Sequence, residues 1–238
     1  MADGFDRRTA YSLSGAAAAI DEGLRAYMLR VYNYMAGGLA LTGIVAYLTA
    51  SSPTLMRTIF GTPLSWVVML APLGIVFYLS ARINKMSFGS AQTWFWVFAG
   101  VMGLSLSFIF LAYTQTSIAK VFFITAASFG SLSLYGYTTK KDISGWGSFL
   151  FIGLIGIILA SIVNIFVASS GLSFAISIIG VLVFAGLTAY DTPQIKEMYV
   201  ASDGSEIAGK KAVMGALRLY LDFINLFLML LRLLGNRN

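Results

Sequence analysis

Long apolar stretches separated by short polar breaks dominate the chain. Seven of them, at 31–50, 64–81, 93–113, 118–137, 147–168, 173–190 and 212–234, approach the roughly 20 residues that an α-helix needs to cross a hydrocarbon core of about 30 Å. The breaks carry turn and charge signals: Ser51-Ser52-Pro53, Arg82 to Ser90, Thr138 to Gly145, Ser169-Ser170-Gly171 and Thr192 to Lys211. Only Thr114-Gln115-Thr116-Ser117 separates the third and fourth stretches, which predicts a tight helical hairpin. The pattern predicts an all-α integral membrane protein of seven transmembrane helices, one domain over 31–238, preceded by a tail at 1–30. In that tail Asp21, Glu22 and Arg25 interrupt an Ala-rich run. It therefore reads as a cytosolic segment with a short surface helix rather than a cleaved leader.

Composition agrees and narrows the chemistry. Of 238 residues, 58% are hydrophobic and 11% charged, against about 25% charged in a soluble domain. The +6 net charge is an orientation signal and not a nucleic-acid footprint, because the basic residues sit between apolar runs. Arg7, Arg8, Arg25, Arg30, Arg82, Lys85, Lys140, Lys141, Lys196, Lys210 and Lys211 fall on one side of the seven spans. Arg57, Lys120, Arg232 and Arg237 fall on the other, and Arg218 is embedded. The first side is expected to be cytosolic, with the N-terminus inside and the C-terminus outside. There is no histidine and no cysteine. That removes the usual bases, zinc ligands and thiol nucleophiles, and no tightly bound cofactor is expected. Small residues at Ala36/Ala40, Ala99/Gly103 and Gly153/Gly156 predict close helix packing.

Two acids stand out. Asp191 ends the sixth run in Tyr190-Asp191-Thr192-Pro193, where the proline predicts that the helix stops or kinks. It reads either as an interfacial cap or as a functional carboxylate. Asp222 lies eleven residues past Lys211, about 16 Å along the last helix and near mid-bilayer. Ionisable groups there are functional candidates by default. Arg218 shares its helix face at i−4, and Tyr220 and Asn225 are candidate hydrogen-bond partners.

Leu219-Tyr-Leu-Asp-Phe-Ile-Asn-Leu-Phe-Leu-Met-Leu-Leu-Arg-Leu-Leu-Gly235 closely resembles the last helix of the Bax inhibitor-1 family. Val31-Tyr-Asn-Tyr-Met-Ala-Gly-Gly-Leu-Ala-Leu-Thr-Gly43, Ala189-Tyr-Asp-Thr-Pro-Gln-Ile-Lys196 and the spacing of the seven runs match as well. The resemblance implies a bundle with the last helix central, wrapped by the other six. It also implies association with calcium leak and stress protection, and for bacterial members a pH-responsive leak channel in the inner membrane. It carries a carboxylate pair onto Asp191 and Asp222, with Arg82 in Phe77-Tyr-Leu-Ser-Ala-Arg82 as an arginine latch on the cytosolic side.

Two carboxylates in contact do not comfortably both ionise, so such a pair titrates as a unit. With Asn225, the Tyr220 hydroxyl and water it makes a transient site for Ca²⁺, which prefers several oxygen ligands. The expected partners are the lipid bilayer, calcium ions and other membrane proteins. Two other readings use the same features. A non-transporting regulator would act through membrane-protein partners. An intramembrane aspartyl protease would use Tyr190-Asp191 and Asp222, but Leu219-Tyr220-Leu221 replaces the glycines which that family places before its second aspartate. The chain is therefore expected not to be an enzyme.

Overall fold

A computed structural model describes the backbone of residues 3–139 and 141–238 and the side chains of residues 21–139 and 141–238. Arg7, Arg8 and Lys140, three of the cations used for orientation, lie outside the described side chains, as do the first twenty positions of the expected tail. In chain order the helices are α1 (Asp3–Ala50), α2 (Pro53–Phe60), α3 (Leu64–Arg82), α4 (Phe88–Leu106), α5 (Ile109–Ala112), α6 (Gln115–Thr138), α7 (Trp146–Val167), α8 (Ser170–Glu197) and α9 (Ser205–Leu234).

Seven stretches are long and apolar enough to cross a membrane: Asp21–Ala50, Leu64–Lys85, Phe88–Ala112, Gln115–Thr138, Trp146–Val167, Ser170–Glu197 and Ser205–Leu234. Each coincides with one predicted run. Most run past it, because a helix satisfies its own backbone groups and continues into its polar ends. Helix α1 passes through residue 30 without interruption, so no break separates the expected tail from the first span. The connection from α3 to α4 is shorter than the predicted break. A 3₁₀ turn at Ile83–Lys85 leads to Ser87, whose hydroxyl accepts from Ser90 N at 3.2 Å and starts α4 at once. Where the sequence predicted only a turn, α2 forms. Ser52 caps it, Pro53 occupies its first turn, and Met56 and Ile59 are buried while Arg57 faces outward.

Helix α9 is the axis. Its membrane-length window is 67% buried, against 17% for α3 and 11% for α7. Helices α1, α4, α6 and α8 pack against it, α3 packs on α4, and α7 on α8. The expectation of a central last helix holds, but four helices surround it and α3 and α7 form an outer layer. Edge-on aromatic contacts fill the space around α9. Phe98 and Phe95 meet Tyr220 at 5.1 and 6.4 Å, and Phe122 and Phe129 each meet Phe223 at 5.5 Å. The Tyr220 hydroxyl lies 2.6 Å from Thr42 Oγ1, which in turn donates to Ala99 O at 2.8 Å, tying α9, α1 and α4 together.

The small residues divide. Gly103 abuts the Thr42 carbonyl, where a methyl group would come within 2.7 Å, and Gly153 abuts Val183. Gly156 has nothing within 4 Å. Ala36 and Ala40 are exposed, and their neighbours Gly37 and Gly38 make the close contacts with Trp96, Phe95 and Tyr220. A face two residues away on the helix does the packing.

Pro193 does not end α8, which continues to Glu197. Proline removes the N–H that would reach Ala189 O. Gly136 of α6 fills that gap so closely that a Cβ there would lie 2.5 Å from Ala189 O and 3.2 Å from Pro193 Cδ. The backbone of α6 thus covers the carbonyl that proline leaves free. Gly136→Ala is expected to destabilise the detergent-solubilised protein by about 1–3 kcal/mol, because backbone must move. Gly100→Ala, with nothing within 4 Å, is expected to be neutral or mildly stabilising. Comparing the thermal midpoints of the two variants checks the assignment.

Candidate functional site

Helices α8 and α9 run antiparallel, and two contacts fix their register. Ile195 lies on Gly215 and Met229 on Gly180. This sets Asp222 opposite Thr188, about one helical turn along α8 from Asp191. Sequence depth alone separates a rim residue from a mid-membrane residue. The continuation of α8 past Pro193 removes that separation by carrying Asp191 inward from the helix end.

Asp222 is 5% exposed, and its Oδ2 has no hydrogen-bond partner among the described residues. Asp191 is half-buried. The charges that act on Asp222 are Asp191 and Arg218, and Arg218 also acts on Asp191. The two carboxylates are electrostatic neighbours on adjacent helices. Arg218, one turn before Asp222 on α9, is exposed. It lies on α9 between Lys211 and Asp222.

The other expected residues sort plainly. Arg82 is exposed at the end of α3 and forms no ion pair with either acid among the described residues. Helix α3 packs on α4, one layer away from α9, whereas Arg218 lies on α9 itself and, like Arg82, forms no ion pair with either acid among the described residues. Tyr220 is committed to Thr42 and not to the acids. The amide of Asn225 donates back to Leu221 O at 2.8 Å. Tyr190 is half-buried and directed to Gly147 of α7, where its hydroxyl would lie 2.5 Å from an added Cβ. None of these three completes a ligand shell. Among the described residues no group of three acidic, histidine or cysteine side chains could hold a metal ion. Any cation at this site therefore relies on the two carboxylates, backbone carbonyls, hydroxyls and water.

Two features escaped the sequence reading. The first is a chain of hydroxyls beside Asp191. Tyr32 of α1 meets Ser133 of α6 at 2.6 Å, Ser133 meets Thr192 of α8 at 3.0 Å, and Thr192 donates to Thr188 O at 2.8 Å. The one-turn spacing of Thr188 and Thr192 was the available signal. The second is a cluster at the end of the bundle where α9 begins. The Asp203–Lys211 ion pair closes at 2.5 Å, the Tyr27 and Tyr199 rings lie 5.7 Å apart, and the Tyr27 hydroxyl is buried without a partner. Asp203 and Arg218 are the charges that act on that hydroxyl.

Comparison with known proteins identifies the surroundings of this site. The family model described as "Inhibitor of apoptosis-promoting Bax1" matches residues 24–238. The uncharacterized protein RP147 of Rickettsia prowazekii is 52% identical over 217 residues, covering 91% of this chain and 92% of the relative. The inner membrane protein YbhL of Escherichia coli K12 is 49% identical over 218 residues, covering 90% and 93%. An uncharacterized protein of Borreliella burgdorferi is 46% identical over 213 residues, covering 89% and 92%. The chain belongs to the Bax inhibitor-1 family and is an integral membrane protein.

A double-mutant cycle tests which arginine serves the acids. Arg218→Gln and Asp222→Asn are expected to couple by about 0.5–1 kcal/mol in unfolding stability, the low end for interacting neighbours because Arg218 is solvent-exposed. Arg82→Gln and Asp222→Asn are expected to be additive. Coupling to Arg82 and none to Arg218 would reverse the assignment.

Proposed function

We propose that this protein is a pH-dependent calcium leak pathway of a bacterial inner membrane, controlled by Asp191, Asp222 and Arg218, with its N-terminus in the cytosol. The observation that carries the reading is the enclosure of two interacting carboxylates, one with an unpartnered oxygen, inside membrane-length helices. Buried acids of this kind mark ion and proton pathways.

The chemistry follows from charge. With both carboxylates ionised, the Arg218 guanidinium is held over them and lies across the route to the cytosolic end. A proton added to the pair removes one negative charge and weakens that hold. Arg218 then turns away from the acids, and the Tyr27–Tyr199 contact and the Asp203–Lys211 pair, toward the same end of the bundle, remain to be displaced. A calcium ion passing through meets few fixed ligands, which suits transit better than retention. In this reading the latch role implied for Arg82 passes to Arg218, the cation on the same helix as Asp222.

The role is transport and not catalysis. Proteolysis is the competing chemistry for two acids that share a proton, and a single-span reporter left uncut by purified protein separates the two. A regulator that works through membrane-protein partners would keep its cellular effect while showing no flux in liposomes.

Calcium flux in proteoliposomes is expected to rise on acidification, by no more than about tenfold per pH unit where one proton controls opening. Asp191→Asn and Asp222→Asn are each expected to flatten this dependence, and Arg218→Gln to raise the leak at neutral pH. Flux that rises on acidification unchanged in both Asn variants would overturn the proposal.

A further inference from the structure

At the opposite end of the bundle from Lys210 and Lys211, the ends of α7, α8 and α9 frame an open polar pocket of about 450 Å³. Two guanidiniums line it, Arg232 from the last turn of α9 and Arg237 from the segment that follows. Its other polar walls include Asn164, Ser169, Ser173 and Ser177. No carboxylate lines the cavity, and neither arginine has an ion-pair partner among the described residues. Two like charges facing one space repel unless an anion lies between them.

The cavity is built rather than incidental. The backbone on either side of Arg237 is fastened to the hairpin between α5 and α6. Thr114 N donates to Asn236 O at 3.0 Å, Asn236 N to Ser117 Oγ at 2.8 Å, and Asn238 N to Ala112 O at 3.1 Å. Asn164 Oδ1 accepts from Ser169 N at 3.0 Å, and Ser169 Oγ from Leu172 N at 3.2 Å, so the turn that forms the second wall is also fixed. Ser177, 2% exposed, is buried within the lining. The start of α8 adds backbone N–H groups and the positive end of its dipole to the same space.

Beside the cavity the surface is strongly apolar. Phe166 is 84% exposed, Ile165 76% and Phe174 60%. Such side chains belong in hydrocarbon, which puts the two arginines at headgroup level just outside it. A ligand filling this place joins an anion to an apolar body. We infer that the cavity binds the phosphate of an anionic phospholipid headgroup, with Arg232 and Arg237 as its paired ligands and the acyl chains lying along Phe166 and Phe174. Arginine suits the role because its planar fork grips phosphate oxygens in pairs.

The test uses the full chain in a zwitterionic detergent, titrated in separate arms with dioctanoyl phosphatidylglycerol, dioctanoyl phosphatidylcholine and inorganic phosphate. Saturable binding of phosphatidylglycerol is expected, at least about tenfold tighter than phosphatidylcholine or inorganic phosphate. Arg232→Gln/Arg237→Gln is expected to abolish that preference. The single variant Arg237→Gln, an exposed position, is expected to weaken it about tenfold and serves if the double variant does not fold. Lys120→Gln, a cation at the same end but outside the cavity, is expected to leave it unchanged. Equal binding of the two lipids, or a preference that survives Arg237→Gln, would overturn the inference. Inorganic phosphate binding as tightly as the lipid would assign the cavity to a free anion and overturn the lipid.

Discussion

A carboxylate halfway along a membrane helix cannot face lipid, and that constraint at Asp222 organises the bundle. Helix α9 must be enclosed by protein on every side, so it becomes the axis and other helices take its lipid exposure. Enclosure by four neighbours requires close approach. This is where the glycines act: Gly38 admits Phe95 beside Tyr220, Gly180 admits Met229, and Gly215 admits Ile195. An apolar residue at 222 would leave α9 free to pack at the edge of the bundle as α7 does.

Enclosure creates a second problem, because helices packed this closely leave little room for polar groups without partners. The hydroxyls solve it locally. Thr42 takes the Tyr220 hydroxyl, and Ser133 links Tyr32 to Thr192. Pro193 leaves Ala189 O without its helical donor, and the bare backbone of Gly136 closes over it. Every one of these devices sits between α9 or α8 and a neighbour that covers it. The unpartnered Asp222 Oδ2 and Tyr27 hydroxyl are the exceptions, and both belong to the region where charge is handled rather than merely buried.

Apolar periodicity made the seven spans legible, since span length is dictated by bilayer thickness. Asp222 stood out from cost alone, because few side chains are so expensive in hydrocarbon, whereas its pairing with Asp191 came only from the family resemblance. What the sequence concealed was relational. Pro193 read locally is a stop, and only the opposing Gly136 lets α8 continue. Ala36 and Ala40 have the spacing of a packing face, yet α1 turns Gly37 and Gly38 inward because Trp96 and Phe95 need that space. Arg82 and Arg218 look equally able to serve the acids in one dimension. The preference for Arg218 in the proposed function rests on α3 lying behind α4, a fact of layering that no local pattern carries. The helix α2 was masked by its shortness, its polar cap and its proline, which together read as a turn.

The register of α8 against α9 also limits how the acids can respond to a proton. The contacts Gly180–Met229 and Gly215–Ile195 are about 22 Å apart along the helices, and each leaves less room than a methyl group needs. Sliding one helix past the other, or rotating it, drives bulky side chains into backbone at both ends together, and packed interfaces of this kind switch between discrete states rather than deform. Asp191 and Asp222 therefore keep their relative position while their charge changes. The moving parts must be those not locked by a glycine contact to this pair of helices: the exposed Arg218 side chain and the segment 198–204, held by the Asp203–Lys211 ion pair and by Tyr199 resting on Tyr27 and Gly23. In the proposed function the acid pair is then a fixed electrostatic seat, and opening falls to the parts around it.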